Sequence, residues 1–179
     1  MTDHPVAGTA QGAVVAETPR LRLRRLCADD AAFVLRLVNE PAFRENIGDK
    51  NLRTLVDARR FLEEGAWTCQ PREGYGQFLV EDRDTGAAVG VCGLLYRAER
   101  ELSDVGFALV PEARGRGYAE EAARAVLDYA RLELGVAEVS ALVSPGNAAS
   151  IRVLEKLGLQ RVGDTDGPSG PTLIYASRR

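Results

Sequence analysis

The stretch VPEARGRGYAEEA, residues 110–122, places two glycines and two arginines between a hydrophobic run and an alanine-rich helical pattern. Gly115 and Gly117 allow backbone conformations and close approaches that other residues resist. The start of a helix adds unpaired N–H groups and a partial positive charge, which together suit an anion such as a phosphate. The stretch therefore indicates a phosphate-binding loop. The alternative is a tight connection with solvent-facing arginines.

Two familiar phosphate loops do not fit this stretch. A P-loop requires a Gly-Lys pair, and the chain contains none. A dinucleotide-binding fingerprint starting at Gly115 and Gly117 needs a third glycine or alanine at position 120, where the chain has Glu120. A nucleotide-dependent switch is therefore disfavoured.

Composition bounds the class of protein. The chain has 179 residues, 45% of them hydrophobic and 27% charged, which is typical of one globular domain. Its net charge of −3 gives no global electrostatic case for nucleic acid or an anionic membrane, and we expect neither partner. Cys27, Cys69 and Cys92 are widely separated and odd in number, which argues against a disulfide framework and favours a cytoplasmic location.

The N-terminal residues 1–16 are small and polar, and they predict a flexible tail before a single domain over residues 17–179. The tail resembles neither a signal peptide nor a membrane span. It contains His4, the one histidine of the chain, so a histidine-dependent hydrolase or a histidine-ligated zinc site is disfavoured. Proton transfer must then use a carboxylate, tyrosine, serine, cysteine, lysine or water.

Hydrophobic periodicity predicts the elements that position the loop. Strands are expected over residues 18–26, 77–81, 87–96, 103–110, 138–143, 160–162 and 172–176. Helices are expected from about residue 29 to 38, and over residues 56–64, 117–134 and 148–157. The strand–helix–strand run over residues 103–143 implies a parallel crossover, and the hairpin before it implies antiparallel pairing. The chain is therefore predicted to form a mixed sheet in an α/β (α+β) domain.

Two segments, DVGFALVPEARGRGYAEEA at 104–122 and SPGNAASIRVLEKLGLQRVG at 144–163, together resemble the GNAT superfamily of acetyl-CoA-dependent N-acetyltransferases. The stretch ETPRLRLRRL at 17–26 resembles the branch of that family that includes ribosomal-protein N-terminal acetyltransferases. The resemblance implies a mixed, mostly antiparallel sheet of about seven strands flanked by about four helices. It also implies that the sheet splays between its fourth and fifth strands, residues 103–110 and 138–143.

The resemblance further implies a binding site for acetyl-CoA. The pyrophosphate would lie on the backbone N–H groups of the loop, namely Arg114, Gly115, Arg116, Gly117, Tyr118 and Ala119. The pantetheine arm would pair with the backbone near Leu109 and Val110. Asn147 matches a cofactor-contacting asparagine, and Ser150 could reach the cofactor sulfur. The alternatives are that Asn147 is a turn residue and Ser150 a plain helix residue. Glu112 departs from the family's Gln or Arg.

Candidate catalytic residues follow from the same resemblance. Asp104 occupies a position where similar acetyltransferases often carry an acidic residue, and it is the first candidate for the general base, with Glu101 and Glu99 as fallbacks. The alternative is that Asp104 is an exposed acid at a strand end. The family's usual tyrosine acid is replaced by Leu154, which leaves Ser150 as the candidate acid.

Other aromatic residues are weaker candidates for the acid. Tyr118 and Tyr175 are more typical of a core than of catalysis. We expect direct acetyl transfer to a primary amine in a ternary complex, without a metal and without an acyl-enzyme on Cys69 or Cys92. The alternative is a non-catalytic acyl-CoA-binding or sensing module.

The acceptor stays open between a protein N-terminus and a small-molecule amine, and so does the choice between a monomer and a homodimer. Residues 42–67 and the loops near residue 74 and over residues 163–171 are expected to set specificity. Four side chains there could line an acceptor cleft or belong to the surface or core: Arg44, Glu45, Trp67 and Tyr75.

Overall fold

The computed structural model describes residues 12–65, 67, 72–97, 102–167 and 170–177. Within them, eight strands form one sheet, and five α-helices accompany it. The strands are β1 (Val14–Glu17), β2 (Leu21–Arg25), β3 (Gly76–Asp82), β4 (Ala88–Arg97), β5 (Leu102–Leu109), β6 (Val139–Val143), β7 (Leu159–Gly167) and β8 (Gly170–Ser177). The helices are α1 (Ala31–Val38), α2 (Pro41–Asn46), α3 (Leu55–Glu63), α4 (Tyr118–Leu132) and α5 (Ala148–Lys156).

The sheet runs in the order β1-β2-β3-β4-β5-β6-β8-β7. Every neighbouring pair is antiparallel except β5 and β6, which are parallel and joined through α4. These strands pair at only two positions, Ser103 with Val139 and Asp104 with Ser140. Beyond those pairs β5 and β6 separate. The predicted mixed sheet, its parallel crossover and its splay are therefore confirmed.

Local sequence signals explain why the helices begin and pack as they do. The Thr54 hydroxyl accepts a hydrogen bond from the Asp57 backbone N–H at 3.1 Å, and the Asp57 carboxylate accepts from the Thr54 N–H at 2.8 Å, so the predicted capping box starts α3. Helix α4 packs on the sheet, and the ring of its Tyr129 meets Phe78 of β3 edge-on at 5.7 Å between centroids. The ring contact holds the C-terminal part of α4 against the sheet.

The structure differs from the sequence predictions at three places. Strand β1 lies partly inside the predicted tail, helix α2 was not predicted, and β7 and β8 extend through most of the predicted loop GDTDGPSGP.

Four residues considered in the sequence analysis lie outside the described residues: His4, Cys69, Glu99 and Glu101. Across the described part of the chain, no helix is both long and apolar enough to cross a membrane.

Candidate functional site

The loop between β5 and α4 depends on its two glycines. Gly115 has φ of 72° and Gly117 has φ of 78°, a left-handed conformation that other residues adopt at a cost. A Cβ built on Gly115 would meet no atom within 4 Å, so the glycine is required by its backbone conformation and not by crowding. Gly117 is the N-cap of α4. The loop thereby presents an open face beside the N–H groups of the helix start.

Two acids in the first turn of α4, Glu120 and Glu121, would repel an anion if they were unpaired. The carboxylate of Glu121 accepts hydrogen bonds from the Thr18 hydroxyl at 2.6 Å and from Arg20 Nε at 2.7 Å. Burial raises the pKa of Glu121, but the hydrogen bonds from Thr18 and Arg20 outweigh it, and the pKa lies below its ordinary value. Glu120 faces Arg124 at 3.2 Å. Both charges are thus offset.

A cavity of about 450 Å³ opens beside this loop, between the end of β5, the start of α4 and helix α5. Its size lies within the range typical of small-molecule sites. Eight of the predicted site residues line it: Leu109, Arg114, Gly115, Gly117, Tyr118, Ala119, Asn147 and Ser150. The structure therefore brings together the two sequence segments that predicted the site.

Two predicted contact residues, Val110 and Arg116, are not among the residues that line the cavity. The backbone N–H of Val110 donates to the Val89 carbonyl at 3.0 Å and so faces β4. Because backbone groups alternate in direction along an antiparallel strand, those of Leu109 and Phe107 face away from β4. They point to the side where β6 has separated. The Leu109 carbonyl already accepts a hydrogen bond from Arg114 Nε at 3.0 Å, so the N–H groups of Leu109 and Phe107 are the backbone donors on that side. Contact with the pantetheine arm stays a prediction.

Asn147 and Ser150 meet at the start of α5. The side-chain oxygen of Asn147 accepts a hydrogen bond from the Ser150 backbone N–H at 3.1 Å and caps the helix. The turn role considered for Asn147 is therefore present in the structure. Both side chains also line the cavity, so the cap places them beside it.

Two cavity-lining cations on α5 were missed by the sequence analysis. Arg152 and Lys156 are four residues apart and so lie on one side of the helix. The sequence SIRVLEK already showed this spacing. Two basic residues four apart on the helix that carries the second motif could have been predicted to add positive charge to the phosphate site. Phe43, Asn46 and Ile47 of the unpredicted α2 region also line the cavity.

Tyr118 is buried and its hydroxyl is already engaged. It donates a hydrogen bond of 2.6 Å to the carboxylate of Asp82 at the end of β3. This bond raises the pKa of Tyr118 and lowers the pKa of Asp82. The guanidinium groups of Arg20 and Arg116 lie 4.8 and 4.7 Å from the centre of its ring. Tyr118 therefore anchors the loop to the sheet.

Asp104 is 2% exposed and lies where β5 and β6 part. One carboxylate oxygen accepts from Arg97 Nε at 2.9 Å, and the other accepts from the Ser140 hydroxyl. The alternative of an exposed strand-end acid is therefore wrong. Asp104 does not line the cavity. Asp104 precedes Gly106 by two residues and Ala108 by four on β5, and Ala108 does line the cavity.

The four acceptor-cleft candidates divide into core and surface. Trp67 packs against Phe43 and Phe61, with ring centroids 6.2 and 5.3 Å apart, and Tyr75 is buried with its hydroxyl 2.8 Å from that of Ser103. Arg44 and Glu45 are exposed. The structure does not bring these four side chains into one cleft.

Leu154 and Cys92 are buried in the core. Burial raises the pKa of the Cys92 thiol far above its ordinary value, which disfavours the thiolate. The second cysteine considered for an acyl-enzyme, Cys69, lies outside the described residues. Cys92 is thus poorly suited to act as a nucleophile.

Comparison with known proteins gives consistent matches. The profile of the Acetyltransferase (GNAT) domain matches residues 20–160. The uncharacterized protein YkkB of Bacillus subtilis is 35% identical over 147 residues, which cover 79% of this chain and 83% of YkkB. The uncharacterized N-acetyltransferase YoaA of the same organism is 28% identical and covers 83% of this chain and 84% of its own.

Solved structures share the fold. A chimera of the spermidine N-acetyltransferase SpeG from Vibrio cholerae superposes with a TM-score of 0.73 at 18% identity, over 88% of this chain and 95% of its own. AAC(6')-Ib in complex with paromomycin and acetyl-CoA gives a TM-score of 0.71 at 19% identity, over 89% and 94%. At these sequence identities the similarity shows a shared fold and nothing more.

Proposed function

We propose that this chain, which belongs to the GNAT acetyltransferase family and is an N-acetyltransferase, transfers an acetyl group from acetyl-CoA directly to a primary amine in a ternary complex. The family membership favours this over a non-catalytic acyl-CoA-binding module. The acceptor is either a protein N-terminus, as the resemblance to the ribosomal-protein branch implies, or a small-molecule amine. The separated cysteines favour a cytoplasmic location.

One observation carries the assignment of the cofactor site. Two glycines with positive φ hold the loop open at the start of α4, and a cavity of about 450 Å³ runs from there to the end of β5. A coenzyme A molecule fits this arrangement, because its pyrophosphate needs N–H donors and its pantetheine arm needs free strand backbone. Arg114 and Arg152 add positive charge for the phosphates, and Lys156 offsets the charge of Glu120, which lies 3.5 Å away and lines the same cavity.

The chemistry then needs few groups. The amine nitrogen attacks the thioester carbonyl carbon, and the carbon–sulfur bond breaks. Backbone N–H groups of Phe107 and Leu109, which face the cleft, stabilise the negative oxygen that forms. Holding two substrates in one cleft supplies a large part of the rate.

Two side chains would move the protons. The proton of the amine passes to the Asp104 carboxylate, directly or through water, and Ser150 donates a proton to the departing sulfur. Asp104 returns its proton to solvent and Ser150 regains one, so the net change is one proton moved from amine to thiol. Arg97 and Ser140 hold the carboxylate of Asp104 in place.

The experiment that tests this proposal is a thiol-release assay with acetyl-CoA and three amines: spermidine, paromomycin and a peptide with a free N-terminus. Turnover is expected with at least one amine, with intersecting initial-velocity lines. Asp104→Asn should lower kcat by about a hundredfold, the usual contribution of a general base, and leave acetyl-CoA affinity unchanged. Asp164→Asn, at an exposed ion pair with Arg161, is the control. Parallel lines or acetylated Cys92 would contradict direct transfer.

A further inference from the structure

Gln77 on β3 is a buried polar side chain with an unused acceptor. The residue is 7% exposed, and its side-chain oxygen Oε1 has no hydrogen-bond partner among the described residues. Buried side-chain oxygens are almost always paired, so an unpaired one calls for a donor. Gln77 has no part in the proton transfers described above.

The strand register places this amide beside the reacting centre. Gln77 pairs with Gly93 of β4, and Gly93 pairs with Gly106 of β5, so the three residues form one row across the sheet. A Cβ on Gly106 would lie 3.3 Å from Nε2 of Gln77. The glutamine side chain therefore reaches across β4 and lies over Gly106. Gly93 is required by the close approach of the strands, because a Cβ there would collide with the backbone of Gly76.

Gly106 stands between the proposed base and the cofactor cavity. Residues two apart on a strand share one face, about 7 Å apart, so the Gln77 amide lies on the same face as Asp104 and Ala108. Asp104 is the proposed base, and Ala108 lines the cavity. A nucleophile that attacks a thioester in the cavity and delivers its proton to Asp104 must pass between these two residues.

We propose that Oε1 of Gln77 accepts a hydrogen bond from the nitrogen of the acceptor amine and orients it for attack. This inference rests on the proposed acetyl transfer to an amine. The amine brings N–H donors on the attacking atom itself, and an amide oxygen accepts them without carrying a charge of its own. Because the oxygen is unpaired without substrate, amine binding satisfies a group that folding leaves unsatisfied.

The test is the variant Gln77→Met, which keeps the length of the side chain and removes the acceptor. For the panel amine that the wild type acetylates fastest, KM is expected to rise about tenfold to a hundredfold, as for loss of a hydrogen bond to a buried group. The affinity for acetyl-CoA should stay unchanged in calorimetry. Gln160→Met, the same change at an exposed position on β7, should leave both quantities unchanged.

The melting temperature of the ligand-free protein separates this role from a structural one. Gln77→Met should melt at the same temperature as the wild type or higher, because the unpaired oxygen is gone. A lower melting temperature together with an unchanged KM would overturn the proposal. Turnover by the wild type reports on the proposed function, whereas the ratio between variant and wild type reports on Gln77, so the two failures are distinguishable.

Discussion

Arg20 donates a hydrogen bond of 2.9 Å from Nη1 to the backbone carbonyl of Arg116, in the middle of the glycine loop. The same guanidinium pairs with Glu121, in the first turn of α4. A residue just before β2 thus holds both the loop and the helix start that we assign to the pyrophosphate. We call these two contacts of Arg20, with the Arg116 carbonyl and with Glu121, the Arg20 brace. The brace lies outside the cavity, so it acts on the cofactor only through the conformation of the loop.

Removing this brace should weaken cofactor binding without unfolding the protein. We expect Arg20→Ala to raise the Kd for acetyl-CoA about fivefold to tenfold, because a hydrogen bond of this kind contributes about 1 kcal/mol. Calorimetric titration measures the change. Arg22→Ala is the matched control, since Arg22 lies two residues further on, in β2, and pairs with Glu17 at 2.8 Å. Equal affinities for the two variants would show that the brace has no effect on the loop.

The hydrogen bond between Tyr118 and Asp82 predicts a pH-dependent loss of stability in Tyr118→Phe. The bond holds the pKa of Asp82 low, so its stabilisation is present above the unfolded pKa of about 4 and disappears as the pH falls through the lower folded value. The variant should therefore melt several degrees below the wild type at pH 7, with a smaller difference in strong acid. Tyr175→Phe is the control for loss of a buried phenol. A difference that stays constant with pH would contradict this account.

The basic face of α5 predicts a salt-dependent contribution to cofactor affinity. We expect Arg152→Glu to raise the Kd for acetyl-CoA about tenfold at low ionic strength, and the effect should shrink as salt screens the charges. Arg59→Glu makes the same change of charge at an exposed position on α3 and should leave the affinity close to that of the wild type. If both variants lose affinity equally, the effect comes from net charge and not from the site.

The sequence predicted the elements that carry strong local signals. The capping box at Thr54 located the start of α3, and the two glycines located the start of α4. Helix α2 was not predicted because it has six residues and buries only Phe43, and one buried residue gives no hydrophobic periodicity. Strands β7 and β8 were predicted too short because Gly163, Asp164 and Asp166 are typical of loops. In the structure these residues pair across a hairpin, Asp164 with Leu173 and Asp166 with Pro171.

The candidate site was predictable in part. The loop and Asn147 could be found because they belong to contiguous motifs. The burial of Asp104 against Arg97 and Ser140, and the reach of Gln77 to Gly106, depend on strand register. Register joins residues far apart in the chain and leaves no local pattern to read.

The central claim is that the glycine loop holds acetyl-CoA, and calorimetric titration of the wild type beside Gly117→Glu and Gly135→Glu tests it most directly. Both glycines have positive φ, at 78° and 65°, so both substitutions strain the backbone, but Gly135 lies beyond the other end of α4. We expect roughly micromolar binding by the wild type and by Gly135→Glu, and none by Gly117→Glu. Binding by Gly117→Glu as tight as that of the wild type, or no binding by the folded wild type, would contradict the account.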